Sequence, residues 1–218
     1  MEDGNGDTEK RIKIVRNEKL SSDMAWDEYQ IKKWPTASLN TYLNGDYYNG
    51  LDATSKNMIA DTKYYLGGRT YDSTTHYGTA PDMYTWERGT TVYGENSTNW
   101  TGKIALMYPS DNYYTYAFGV DNVCYTDGAK CQTNEGGTPT NGWIHNTNSN
   151  SGQWLLSTNS IYSGIALAVS NLGYVYICSE NPYGHIPSDG VRPSLYLVSG
   201  IKIDSGEGTE QSPYRLKL

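Results

Sequence analysis

Histidine and cysteine are the residues of this chain best suited to nucleophilic, acid–base or metal chemistry. His76, His145 and His185 lie in separate segments rich in turn-forming residues, so we interpret them as surface or locally hydrogen-bonded side chains rather than catalytic groups. The chain lacks a G-x-S-x-G elbow, an H-E-x-x-H pair and a G-x-x-x-x-G-K-[ST] phosphate loop. We therefore predict no enzymatic activity and no organic cofactor.

The three cysteines favour a local disulfide over a metal site. Cys124 and Cys131 flank a turn-rich segment that contains Asp127-Gly128, and such a turn can bring the two thiols together. A zinc site needs four closely spaced Cys or His ligands, and the remaining Cys and His residues are dispersed. Cys178 lies in a predicted strand, where we interpret it as a buried apolar thiol.

Calcium binding is an open alternative at the N-terminus. Asp3, Asn5 and Asp7 have the alternating oxygen ligands of a calcium loop. Thr8, however, replaces the turn glycine of that loop, and Ile14 stands where a bidentate glutamate would close it. We therefore predict no metal site and interpret the acidic loop residues as turn formers.

Tyrosine and asparagine dominate the segments that are candidates for ligand binding. The chain contains 21 Tyr and 6 Trp but a single Phe, so most aromatic rings carry a polar group that suits a partly wet environment. Loops rich in Tyr, Asn, Ser and Gly are typical of recognition surfaces. The candidate contacts are Asn112, Tyr113, Tyr116, Asn141, Trp143, His145, Asn146, Asn181, Tyr183, His185 and Asp189.

We expect the candidate rings to differ in exposure. Tyr113, Trp143 and Tyr183 are predicted to be exposed on loops, whereas Tyr114 and Tyr116 fit equally well as residues packed on one face of a strand. Trp34, Trp100, Trp154 and Tyr196 are predicted to be packed.

Charge and hydropathy exclude several classes of protein. The 218 residues include 17 Lys+Arg and 24 Asp+Glu, for a net charge of −7, and the cations are scattered, which disfavours nucleic-acid binding. No apolar run approaches the roughly 20 residues that span a bilayer. Residues 1–7 are acidic and glycine-rich, unlike a signal peptide. We expect that any export signal or membrane anchor lies outside this sequence.

Two helices are predicted early in the chain, after a strand at 12–16. The first spans 34–44, with Thr36 as its N-cap and Asn44-Gly45 as its stop. The second spans 52–61 and turns Ala53, Met58 and Ile59 toward the core. Further strands are predicted at 64–66, 103–108, 114–118, 154–156, 165–170, 174–178, 191–198 and 201–204.

Residues 68–102 and 120–153 are predicted to be loops, because they are rich in Gly, Thr, Asn and Ser. Loops of this length in a compact domain commonly carry function.

Four motifs follow one another along the chain: WPTASLNTYLN at 34–44, WTGKIALMYPSD at 100–111, GVRPSLYL at 190–197 and GEGTEQSPY at 206–214. This ordered set resembles a family of bacterial surface domains, often pilin-associated or exported by Gram-positive bacteria. The closing Gly-Val-Arg-Pro is also similar to the end of C-type-lectin-like domains of the formylglycine-generating-enzyme branch, which includes the variable proteins of diversity-generating retroelements.

The resemblance implies an α+β, C-type-lectin-like domain over residues 11–218, preceded by a flexible acidic lead-in at 1–10. It implies that the N- and C-terminal strands pair and that the long loops form the binding face. Arg192 offers its guanidinium to backbone carbonyls or a carboxylate beneath the loops. Pro193 starts the strand of the GVRPSLYL motif, where no backbone donor is needed. Cys124 and Cys131 do not match the copper-binding cysteine pair of the enzymes, so the resemblance implies fold and not catalysis.

The leading functional hypothesis is an extracellular adhesin or receptor-binding domain that contacts a protein or glycan on another surface. One extension of this hypothesis is that the Asn/Ser/Thr/Tyr-rich stretch at 141–190 is diversified by adenine-directed mutagenesis. The main alternative is the structural head of a pilin-like subunit that assembles into a pilus. A weaker alternative is an oxidase related to formylglycine-generating enzymes.

Overall fold

The computed structural model describes residues 8–29, 33–68, 77–115, 124–125, 152–160, 164–170, 175–178 and 188–218. The strands are β1 Lys13–Val15, β2 Met24–Ala25, β3 Thr62–Tyr65, β4 Tyr77–Gly78, β5 Asn99–Gly102, β6 Ile104–Ala105, β7 Cys124–Tyr125, β8 Gln153–Thr158, β9 Ala166–Val169, β10 Val175–Cys178, β11 Ser188–Asp189, β12 Ser194–Tyr196, β13 Lys202–Ser205 and β14 Arg215–Lys217. The helices are α1 Ser38–Tyr42, α2 Ala53–Met58, α3 Ala80–Glu87 and α4 Pro109–Tyr113. Short helices with small antiparallel sheets confirm the α+β class.

Strand β12 joins the two ends of the chain. It lies between β1 and β6 and pairs antiparallel with both, with Lys13 opposite Tyr196 and Ser194 opposite Ala105. The expected pairing of an N-terminal strand with a C-terminal strand is therefore confirmed. This pairing brings together residues that are about 180 positions apart in the sequence.

A second sheet consists of three antiparallel strands. Strand β9 lies between β8 and β10, and all four of its residues are buried, as expected for a central strand covered on both faces. The remaining strands form the antiparallel pairs β2–β11, β3–β5, β4–β7 and β13–β14. The predicted strands at 154–156, 165–170 and 174–178 correspond to β8, β9 and β10.

The core is built from tryptophan and tyrosine rings. Trp34, Trp154 and Tyr196 are buried as predicted, while the half-buried Trp100 packs edge-on against Trp34 with ring centroids 6.1 Å apart. The fully buried Trp26 donates its indole N–H to the Leu155 carbonyl at 2.9 Å. A ring with a polar atom can be buried and still satisfy a backbone group, which explains the scarcity of Phe.

The first helical region differs from the prediction at both ends. A 3₁₀ turn at Trp34–Thr36 precedes α1, whose N-cap is Ala37 and not Thr36. Helical structure also continues past Asn44-Gly45 as a π-helical turn at Leu43–Tyr47. The side chain of Asn44 accepts the Ile104 N–H at 3.0 Å and donates to the Ile104 carbonyl at 2.8 Å. These long-range bonds hold the chain helical at a local stop signal.

Helix α2 confirms a helix in the region predicted, but Ala53 is exposed rather than in the core. Ile59, which follows the helix, is buried. Asp52 caps the helix by accepting the Ser55 N–H at 3.0 Å.

Helices α3 and α4 were not predicted. The loop expected over 68–102 contains α3 and β5, and α3 starts with a capping box in which Thr79 and Asp82 accept each other's backbone N–H groups. Tyr114, expected in a strand, lies at the C-terminal end of α4 and is half exposed.

Candidate functional site

Most of the candidate contacts fall in two stretches of the chain, 126–151 and 179–187, which we call the first and second binding segments. The described residues that follow the two segments lie close together. The predicted contacts that the segments carry lie outside the described residues: Asn141, Trp143, His145, Asn146, Asn181, Tyr183 and His185. The first segment ends before Gly152 and the second before Ser188. The Gly190 N–H donates to the Gly152 carbonyl at 2.8 Å, and the Trp154 N–H donates to the Gly190 carbonyl at 2.9 Å. The C-terminal ends of both segments are thus joined by backbone hydrogen bonds.

The N-terminal ends of the same two segments also begin at neighbouring strands. The first segment follows β7 and the second follows β10, and β7 lies against β10. Each segment therefore leaves the framework beside the other and returns beside the other. This arrangement is independent of what lies between the described ends.

Arg192 lies inside the protein and contacts a residue next to Gly152. Its side chain is buried, its Nε donates to the Arg16 carbonyl at 2.9 Å, and Nη1 donates to Gln153 Oε1 at 3.3 Å. The predicted role of Arg192 in binding a backbone carbonyl is confirmed. Burial lowers the pKa of the guanidinium. Pro193 directly precedes β12, and its carbonyl accepts the Arg16 N–H at 2.9 Å.

The expected exposure of Tyr113 is wrong, and Asn112 is buried as well. Their exposed fractions are 3% and 1%. Pro109 begins α4, and Asp111 accepts the Tyr108 N–H at 2.8 Å, so the segment is helical rather than a loop. Tyr113 packs with Met107 and Leu155 in a hydrophobic cluster. Residues 112 and 113 thus belong to the framework, while Tyr116 lies outside the described residues.

Asp189 is also withdrawn from solvent. Its residue exposure is 6%, because β11 pairs with β2 and places Asp189 opposite Met24. We expected Asp189 to contact a ligand, but its position leaves it little accessible surface.

The disulfide predicted between Cys124 and Cys131 lies outside the described part of the chain. Cys131 is not among the described residues, and Cys124 is described only as part of the β7 backbone.

A cleft of about 710 Å³ lies next to this region. One wall contains Met24 and Ala25 of β2, which pair with Asp189 and Ser188 of β11. The other side contains Tyr42 of α1 and Asp46. All of its lining residues lie between positions 23 and 46, but no motif in that range indicates a cleft.

A buried acid, Glu87, lies at the contact between α3 and α4. Its Oε1 accepts the Ser110 N–H at 2.7 Å, and the Ser110 hydroxyl contacts Oε2 at 2.5 Å. Burial raises the pKa of the carboxyl to about 8, outweighing the two contacts with Ser110, which favour the charged form. Glu87 is therefore largely protonated at neutral pH. Sequence reasoning missed it because its burial depends on the unpredicted helices.

A half-buried cation, Lys13, lies in β1 opposite Tyr196 of β12. It pairs with Asp111 and lies 4.6 Å from the ring centroid of Tyr108. Burial is the largest single effect and lowers the pKa of Lys13, but the opposing effects of Asp111, Tyr196 and Glu87 together outweigh it, so the pKa lies above its ordinary value. The pair links β1 to α4 and has a structural role.

Comparison of the chain with known protein families, with curated proteins and with solved structures finds no match. In the part of the chain that the structure describes, no helix is long and apolar enough to cross a membrane. Nor does any group of three or more His, Cys, Asp or Glu residues lie in a position to hold a metal ion, among those same residues.

Proposed function

We propose that this protein is an extracellular ligand-binding domain of C-type-lectin-like architecture. It recognises a protein or glycan on another surface through residues 141–146 of the first segment and 181–187 of the second, with no catalytic step. The observation that carries the proposal is the joining of the two segments at their framework ends, where Gly190 bonds to both Gly152 and Trp154. Two segments anchored at one place can contact one ligand together.

The composition of the two segments supports recognition. Trp143 and Tyr183 offer large rigid rings with few rotatable bonds, so ordering them on a ligand costs little entropy. Asn141, Asn146 and Asn181 offer amide groups that both donate and accept hydrogen bonds. Sugar rings stack on aromatic faces, and protein surfaces offer backbone groups to amides, so the same chemistry serves either class of ligand.

The framework supports the proposed architecture. Terminal strands that pair and a buried arginine that bonds to a backbone carbonyl are features that the sequence resemblance implies. A rigid support reduces the conformational entropy that a binding loop loses when it meets its ligand. Asn112 and Tyr113 contribute to that support and not to the contact surface.

The proposal is tested by binding of the whole chain to a glycan array and to a panel of surface proteins. We expect Trp143→Ala and Tyr183→Ala each to weaken binding by about 10-fold or more, because aromatic anchors dominate recognition surfaces. Tyr214→Ala removes a ring that is 54% exposed on another part of the chain and is the matched control, with binding unchanged. Absence of any ligand, or equal effects of the three substitutions, would contradict the proposal.

A further inference from the structure

The cleft between β2 and α1 has no role in the proposed function. We propose that it binds a lysine or arginine side chain of a protein partner. The inference rests on the proposed function, since the cleft wall β2 pairs with β11, where the second binding segment ends. A partner held by that segment would lie beside the cleft.

The charge of the cleft favours a cation. Glu28 and Asp46 line it with exposed carboxylates that form no ion pair or hydrogen bond with the described residues. Asp23, a third carboxylate in the lining, already pairs with Lys19 at 3.0 Å. The described residues that line the cleft include no lysine, arginine or histidine. Among the described residues, no cation occupies these two carboxylates, and they suit a positive charge supplied by a partner.

Two tyrosine rings add a second source of attraction for a cation. Tyr29 is 75% exposed and Tyr42 is half-buried, and both line the cleft. Elsewhere in this chain such rings carry a cation, as with Arg88 at 3.5 Å from the Tyr84 ring centroid. Neither cleft ring has a lysine or arginine of the described chain over it. The negative face of an aromatic ring attracts lysine and arginine side chains.

The shape of the cleft favours a side chain on a peptide over a small inorganic ion. Its volume of about 710 Å³ lies within the range of sites for organic ligands. The two sides of the cleft are tied together, since the Glu28 N–H donates to the Ser38 hydroxyl at 2.9 Å. Asp27 Oδ1 accepts the Tyr29 N–H at 3.3 Å, which holds the turn that carries both Glu28 and Tyr29.

The test uses a penta-lysine peptide and its Nε-acetylated, uncharged form, titrated into the whole chain and followed by amide chemical shifts. We expect penta-lysine to shift the amides of Ala25 and Gly45, and the acetylated peptide to leave them unchanged. The double variant E28Q/D46N should weaken the affinity for penta-lysine by about 5-fold or more, because it removes both available carboxylates.

The matched control is E207Q/E210Q, which removes the same net charge from exposed carboxylates between β13 and β14. It should leave the affinity within about 2-fold of the parent protein, since long-range charge effects are screened by salt. Equal weakening by the two double variants would overturn the inference, because binding would then follow net charge. Absence of cleft shifts at millimolar peptide would overturn it as well.

The inference and the proposed function fail in different ways. If the cleft variants leave peptide binding unchanged while Trp143→Ala abolishes ligand binding, the inference alone is wrong. If peptide binding to the cleft is confirmed while Trp143→Ala and Tyr183→Ala bind ligand normally, the proposed recognition segments are wrong.

Discussion

At the scale of single residues, Glu87 makes the stability of the protein depend on pH. Its pKa is about 8 in the folded protein and near its ordinary value of 4.5 when unfolded, so the folded state binds the extra proton between these values. Stability is then highest toward pH 5 and falls as the pH rises through 8. The full effect of deprotonation is on the order of a few kcal/mol.

The isosteric variant E87Q should remove this dependence. Glutamine cannot titrate, and its carbonyl can still accept the Ser110 N–H. The free energy of unfolding of E87Q should therefore change by about 1 kcal/mol or less between pH 6 and pH 9. The measurement is urea unfolding across this range. The exposed Glu95→Gln should keep the slope of the parent protein. Identical slopes for E87Q and the parent protein would show that Glu87 does not titrate in this range.

At the scale of elements, α3 depends on its first turn. Thr79 Oγ1 accepts the Asp82 N–H at 3.3 Å, and Asp82 accepts the Thr79 N–H at 2.8 Å. Thr79→Ala should cost about 1 kcal/mol in the free energy of unfolding, because it leaves an N-terminal amide without its cap. Thermal or urea unfolding measures the change.

The control for this cap lies in the same helix. Thr85 is exposed and its hydroxyl donates back to the Pro81 carbonyl at 2.9 Å, so Thr85→Ala should change stability by less than about 0.5 kcal/mol. A cost for Thr85→Ala equal to that for Thr79→Ala would show that the capping box has no special role.

Local patterns predicted some elements and failed at others for physical reasons. A continuous apolar run was sufficient to predict β9, because this central strand is buried at all four of its residues. The cap of α3 was present in the sequence as Thr79-Ala-Pro-Asp82, but its polar surroundings indicated a loop. Local patterns could not predict that the helix continues past Asn44, because the hydrogen bonds between Asn44 and Ile104 that stabilise it involve a distant segment.

At the scale of the whole molecule, sequence reasoning succeeded where one residue has one possible use. A buried arginine before a strand needs carbonyl acceptors, and Arg192 has one in Arg16. The meeting of the two segments depends on a hydrogen bond between residues far apart in the chain, Gly190 and Gly152. Composition contains no information about such contacts, so this feature was not predicted.

The central claim is that the two segments act as one binding face, and a double-mutant cycle on Trp143 and Tyr183 tests it most directly. The affinities of the parent protein, Trp143→Ala, Tyr183→Ala and the double variant are measured for a ligand found on the array. We predict a coupling energy above about 0.5 kcal/mol, because both rings contact one ligand. Effects that add to within about 0.3 kcal/mol would contradict a shared face.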